Sequence, residues 1–199
     1  MPSCDSLEQL SLVARAGRIG RLFKGVLIMR RICLGPAAIA VTCLLLSLMP
    51  AAAAGALTVD KATILAEHNK YRAEVGVPPL TWSDKLAEGA QRWADTMAAL
   101  DKLQHSHAPG VGENLAYLSE FHANLPDMIG LWGREKAYFQ QGTFPDVSND
   151  GNWLDVAHYT QMVWRRTTQV GCGIGNNGKK DFLVCWYSPQ GNYIGQVPY

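Results

Sequence analysis

The sequence predicts a single α+β domain, helices first and a β-hairpin last, placed behind an export segment. Three observations carry this. Amphipathic helical periodicity recurs in the stretches 62–75, 83–100 and 125–140. Two strand-like runs, "QVGCGIG" and "DFLVCWYSP", follow and are joined through "NNGKK", where Asn177-Gly178 is a strong hairpin turn. No internal repeat or low-complexity linker interrupts the chain after residue 56.

The first 56 residues stand apart. "MRRICLGPAAIAVTCLLLSLMPAAAAGA", residues 29–56, sets two arginines before a long uncharged apolar run and then small residues. That is the n-, h- and c-region order of a signal peptide, with cleavage sites in Ala52-Ala53-Ala54 or Ala54-Gly55-Ala56. Residues 1–28 form a doubtful N-terminal extension, and Met29 is the expected start. The competing reading is a retained anchor, since Ile32 to Ala56 is long enough to cross a bilayer. Either way Arg30 and Arg31 hold the amino end inside, so the domain spanning 57–199 is exported, to the periplasm or beyond the cell. A membrane is a partner only if the segment is retained.

Of the 18 basic and 17 acidic residues, six and two lie in 1–56, so 57–199 carries 12 against 15, a net charge of −3. A mildly acidic domain argues against nucleic acid as a partner. Three of the five cysteines also lie in 1–56, which leaves Cys172 and Cys185. Two cysteines in an oxidising compartment, on the facing strands of the expected hairpin, predict one disulfide. There is no Asn-x-Ser/Thr acceptor for glycosylation.

Within the domain, "ATILAEHNKYRAEV" puts Ile64, Leu65, His68, Tyr71 and Val75 on one helical face, and Gly76 with Pro78-Pro79 ends it. In "SDKLAEGAQRWADTMAAL", Ser83 is the expected N-cap. Leu86, Ala90, Trp93, Met97 and Leu100 face inward; Glu88, Gln91 and Asp95 face outward. "HSHAPGVGENLAYL" reads as a loop running into a short ordered piece. "LPDMIGLWGREKAYFQ" reads as a third helix with Pro126 near its start. "TFPDVSNDGNWLD" is a polar loop, and a short helix carrying His158 follows. The glycines of "GCGIG" precede a hairpin rather than a helix, so they read as turn chemistry and not as a phosphate loop.

Some polar residues sit out of place. With Met128 at zero on a helical wheel, Glu135 falls at about 340°, between Leu131 at about 300° and Phe139 at about 20°. A carboxylate in an apolar arc must be paired, hydrogen-bonded or facing a polar cavity, unless it snorkels from the rim. Glu113, in "GVGEN", either points inward or caps the next segment, and His105 and His107 lie in the same loop. His158 precedes the apolar stripe Tyr159, Met162, Val163. It is either a hydrogen-bonded core residue or a ligand. His68 is its rival on another apolar face, and His122 reads as surface. The calcium-like start Asp146, Ser148, Asp150, Gly151 has Ala157 where the closing Glu belongs, which disfavours calcium. No His-Glu-x-x-His, Gly-x-Ser-x-Gly or phosphate-loop motif is present.

The segments "HNKYRAEVGVPPLTWSDKLAEGAQRWA", "HSHAPGVGENLA", "LWGREKAYF", "AHYTQMVWRRTTQVGCG" and "LVCWYSPQGNYIGQVPY" occur in this order over residues 60–199. Together they resemble the CAP superfamily of cysteine-rich secretory proteins, venom antigen 5 and plant pathogenesis-related class one proteins. The resemblance implies a three-layer α-β-α sandwich around a central, mainly antiparallel sheet. It also implies a cleft lined by two histidines and two glutamates. Matched motif by motif these are His105, Glu113, Glu135 and His158, with His107 able to replace His105. The chain departs from the family pattern at Trp186, where the residue after Cys185 is usually polar. It also has one cysteine pair in place of the plant members' six cysteines.

The function expected from the resemblance is a secreted, non-catalytic module that binds a lipid, a sterol or an extracellular protein partner, in host–microbe interaction or defence. His105 and His158 would be ligands for Zn2+ or another divalent metal. The alternative is a metal-dependent, protease-like hydrolase with Glu113 or Glu135 as general base.

Overall fold

The computed structural model describes residues 57–119 and 124–199. The expected extension, the signal segment and His122 lie outside the described residues.

Helix α1 spans Lys61–Glu74 and is capped by Asp60, whose carboxylate accepts from the Ala62 N–H. It turns one narrow face inward, through Ile64, His68 and Arg72. Val75, expected on that face, packs half-buried against the core and is also the C-cap, since the chain turns at Gly76 with φ of 66°. Strand β1 is only Thr81–Trp82. Helix α2 covers Asp84–Leu100, with the Ser83 side chain accepting from the Leu86 N–H, a cap worth about 1 kcal/mol.

Strand β2 runs Gly112–Ser119, α3 Leu125–Arg134, α4 Ala157–Met162, β3 Gln169–Asn176 and β4 Lys180–Ser188. Short 3-10 turns at Glu135–Tyr138 and Trp153–Val156 flank the loop between α3 and α4. That loop is less polar in place than in sequence, since Phe144 and Val147 are buried in it.

The four strands are ordered β1-β3-β4-β2. The β2–β4 and β3–β4 pairs are antiparallel, and β1 adds to β3 in parallel. Strand alternation sorts the core into two layers. Val170, Cys172, Ile174, Leu183, Cys185 and Tyr187 meet Ile64, Met128, Ile129, Trp132, Tyr159 and Met162 on one face. Leu115, Phe182 and Val184 meet Ala90, Ala94, Met97 and Ala98 of α2 on the other. Helices therefore cover both faces of one mainly antiparallel sheet, the expected α-β-α sandwich.

Two expectations for α2 need correction. Leu100 is 58% exposed, because the last helical turn passes the strands and reaches the β3–β4 turn. There Asp101 accepts from Asn177 Nδ2 and Lys180 Nζ, each at 2.9 Å. Gln91 faces inward. β1 pairs only with Gln169 and Val170, so the Ile174 backbone farther along β3 is met by the Gln91 amide instead, at 2.6 and 3.0 Å.

The "GCGIG" glycines are not turn chemistry either. Gly171, Gly173 and Gly175 alternate along β3 on the α2 side, where a Cβ would lie 2.2 to 2.3 Å from the helix backbone. The turn is made by Gly178, at φ of 77°. Cys172 and Cys185 are register partners and form the expected disulfide.

Candidate functional site: two histidine–carboxylate dyads at the start of strand β2

Glu113 is the second residue of β2, opposite Trp186 of β4. Its side chain turns to the α2 face and is only 8% exposed. Oε1 accepts from His105 Nδ1 at 2.7 Å and from the Ser106 N–H at 2.9 Å. Oε2 accepts from the indole Nε1 of Trp186 at 2.8 Å. Burial by itself would raise the Glu113 pKa, but the hydrogen bonds from His105, Ser106 and Trp186 outweigh it and leave it lowered. His105 is thereby singled out from its neighbour. His107, at φ of 54°, is exposed and lines the same hollow of about 280 Å³ with Ser106, Val111 and Glu113.

The second dyad is built at the start of α4. Glu135 Oε1 accepts from His158 Nδ1 at 2.6 Å, and Oε2 accepts from the His158 and Tyr159 backbone N–H groups at 3.0 Å each. The carboxylate thus caps a six-residue helix that has no side-chain cap of its own at Val156. Glu135 is not in α3, which ends at Arg134, but in the 3-10 turn that follows. Its inward direction, expected from the helical wheel, is retained through that turn. The His158 ring stacks on Trp132 at 6.2 Å between centroids.

Strand alternation separates the two dyads. Glu113 faces α2, while the next residue, Asn114, faces the other layer and donates to the His158 carbonyl at 3.1 Å. Among the described residues, no three His, Cys, Asp or Glu side chains converge on one point that could hold an ion. The four predicted residues are therefore two dyads flanking the start of β2, and not a closed four-ligand cage.

The donor chemistry still fits a metal in part. Each imidazole gives its Nδ1 proton to a carboxylate, and among the described residues neither Nε2 has a hydrogen-bond partner. This is the arrangement in which a carboxylate orients a metal-ligating histidine.

His68, the rival candidate, is a satisfied core residue. Its Nδ1–H donates to the Ile64 carbonyl at 2.7 Å, and Nε2 accepts from the Tyr187 hydroxyl at 2.8 Å. That hydroxyl accepts in turn from Asn114 at 3.2 Å. Burial pushes the His68 pKa down to about 4; the bond to Ile64 opposes the shift and the Arg72 charge adds to it. Asp150, of the calcium-like loop, accepts from Ser148 and from the Asn152 N–H and so closes a turn.

Several supporting residues went unread in the sequence. Ser106 contributes its backbone N–H at 2.9 Å, which leaves no sequence signal, and its side chain adds to the lowering of the Glu113 pKa. Trp186 was noted as a departure, but its partner was not. The signal lay in strand register, which sets Trp186 across from Glu113 on the same face.

The chain matches the profile described as "CAP: Cysteine-rich secretory protein family" over residues 65–187. It is 40% identical over 133 residues to pathogenesis-related protein 1C of Nicotiana tabacum, covering 66% of this chain and 76% of that protein. It is 36% identical over 166 residues to venom allergen 5 of Polistes fuscatus, covering 70% and 78%. Among solved structures, BmVAL-1 superposes with a TM-score of 0.59 at 24% identity, over 70% of this chain and 81% of that one. That likeness speaks to the fold, and the two relatives speak to descent. Among the described residues no helix is long and apolar enough to cross a membrane. The chain belongs to the CAP family of cysteine-rich secretory proteins.

Proposed function

We propose that this protein is a secreted, non-catalytic binding module whose two carboxylate-oriented imidazoles can take a divalent metal such as Zn2+. One observation carries the reading. Both oxygens of both glutamates are already occupied by N–H donors, three on Glu113 and three on Glu135. A general base needs a lone pair within reach of the proton it removes, and three of the roughly four lone-pair sites of each carboxylate are engaged in holding the histidines and the start of α4. The free groups are the Nε2 atoms of His105 and His158, whose lone pairs in this tautomer can ligate a metal; the same lone pair could take a proton, so turnover is what separates a ligand from a base. A metal held by His105 or His158 would supply a Lewis-acidic centre there.

The lipid, sterol or protein partner belongs elsewhere on the surface. A groove of about 690 Å³ is lined by Val59, Trp82 and Ala87, with Lys61 and Arg92 among its polar residues. It shares no lining residue with the His105 hollow. Asp84 and Glu88 balance those two cations, and Lys61 is paired with Asp84 at 2.6 Å. Apolar walls with polar groups of both signs suit an amphipathic ligand with a polar head. Export supports this reading: the disulfide needs an oxidising compartment, and residues 29–56 carry the signal pattern. A role in defence or host–microbe interaction is consistent with the pathogenesis-related relatives.

Native mass spectrometry of the protein recovered from an exporting host tests the reading, with and without zinc and beside a His105→Ala, His158→Ala variant. A zinc adduct lost in the variant, together with no peptide or ester turnover by the zinc-loaded protein, is the expected result. Turnover that disappears with the two histidines would instead establish the hydrolase. A co-purified lipid mass that Val59→Glu abolishes would assign the groove.

A further inference from the structure

We propose that Trp186 is a positioning residue for His105, acting through Glu113: its indole N–H holds the carboxylate so that the imidazole keeps its proton on Nδ1 and its Nε2 lone pair free. This rests on the reading of His105 as a ligand donor.

A neutral imidazole carries one N–H, and the partner of one nitrogen decides which nitrogen is left bare. For His105 that partner is Glu113 Oε1, which it shares with the Ser106 N–H. The carboxylate can hold this pose only if Oε2 is also engaged, since the side chain is 8% exposed and little water reaches it. Trp186 Nε1 donates to Oε2 at 2.8 Å. An indole is a donor and never an acceptor, so it fixes the second oxygen as an acceptor without offering the carboxylate a competing role. A polar side chain such as Asn at this place could present either atom.

The indole is itself held by an omission in α2. Gly89 is buried in the middle of that helix, where glycine costs about 1 kcal/mol relative to alanine. A Cβ there would lie 2.1 Å from the Trp186 ring. Gly89 therefore makes the room, the indole fills it, and its N–H meets the carboxylate directly across the β2–β4 pair. Helix, strand and loop are joined in one line, from Gly89 through Trp186 and Glu113 to His105.

The test is the tautomer of His105, read from the ring nitrogen shifts in nitrogen-15 NMR of the metal-free protein at about pH 9, above the ordinary histidine pKa of ~6.5. The unsubstituted protein should hold His105 as the Nδ1–H form. Trp186→Phe keeps a ring on Gly89 and deletes the N–H; it should move His105 toward the Nε2–H form. Gly89→Ala, which displaces the indole without altering it, should do the same. His158 should not change in either variant. Zinc binding to Trp186→Phe should weaken by roughly 10-fold, as for other outer partners of a ligating histidine.

A folded Trp186→Phe protein with the His105 tautomer unchanged overturns the proposal. So does a Trp186 indole proton that, in the unsubstituted protein, exchanges as fast as one in open solvent; this readout needs no variant to fold. Failure of the unsubstituted protein to bind zinc overturns the ligand reading alone, and the tautomer still decides the role of Trp186.

Discussion

Arg72 shows how a single side chain can organise segments distant in sequence. It is fully buried, and among the described residues no carboxylate pairs with it. Its guanidinium donates to the carbonyls of Pro78, Met162, Trp164 and Thr167, at 2.6 to 3.0 Å. Burial lowers its pKa to about 10, so it stays charged at neutral pH. A lysine cannot present the same planar fork, and each orphaned buried carbonyl costs about 1–3 kcal/mol. Arg72→Lys should therefore lose at least ~3 kcal/mol in urea unfolding. Glu135 works at the same scale. Glu135→Ala strips three N–H groups of a charged acceptor, and ~2 kcal/mol of stability should go with it. If that loss is absent, the carboxylate is not the cap of α4.

At the scale of elements, the approach of α2 to β3 is closer than side chains on both partners allow. Gly173→Ala would put a Cβ 2.3 Å from the Gln91 Cα, in backbone that cannot swing aside. The helix must lift, and overpacking of this kind costs about 1–3 kcal/mol. Gly178→Ala tests a different constraint. Its surroundings are open, and only the positive φ of 77° opposes a side chain, at a cost of about 1 kcal/mol. Thermal unfolding should rank Gly173→Ala as the more damaging of the two. The reverse order would mean that the turn, and not the helix–strand contact, limits the hairpin.

At the scale of the whole molecule, stability should depend on pH in two windows. His68 titrates near 6.5 when unfolded and at about 4 when folded. Between these values the unfolded chain binds the extra proton, so stability is full above the upper value and is lost as pH falls toward the lower. The loss is on the order of 3 kcal/mol. Glu113 acts further into acid. Its folded pKa lies below its ordinary 4.5, so its contribution is present above that value and is lost as pH falls through the folded one. Urea titrations over a pH series should show both windows, and His68→Leu should flatten the upper one alone. An unchanged upper window in that variant would move the effect to another group.

Much of this was legible in the chain. Period placed the three long helices, because an amphipathic stripe acts within a few residues, and Ser83 marked the start of α2. The third stripe runs on through residue 140 in the sequence, although α3 ends at Arg134. The hairpin and its disulfide were readable for the same reason, since Asn177-Gly178 sets the register that pairs Cys172 with Cys185. Glu135 announced itself as a carboxylate on an apolar arc. Everything set by contact between distant segments was decided in three dimensions. That His105 and not His107 meets Glu113, that Gln91 turns inward, that the β3 glycines serve a helix, and that Trp186 holds a glutamate all depend on strand register and layer packing. Local sequence determines which face a residue presents within its own element; only the folded sheet determines what that face meets.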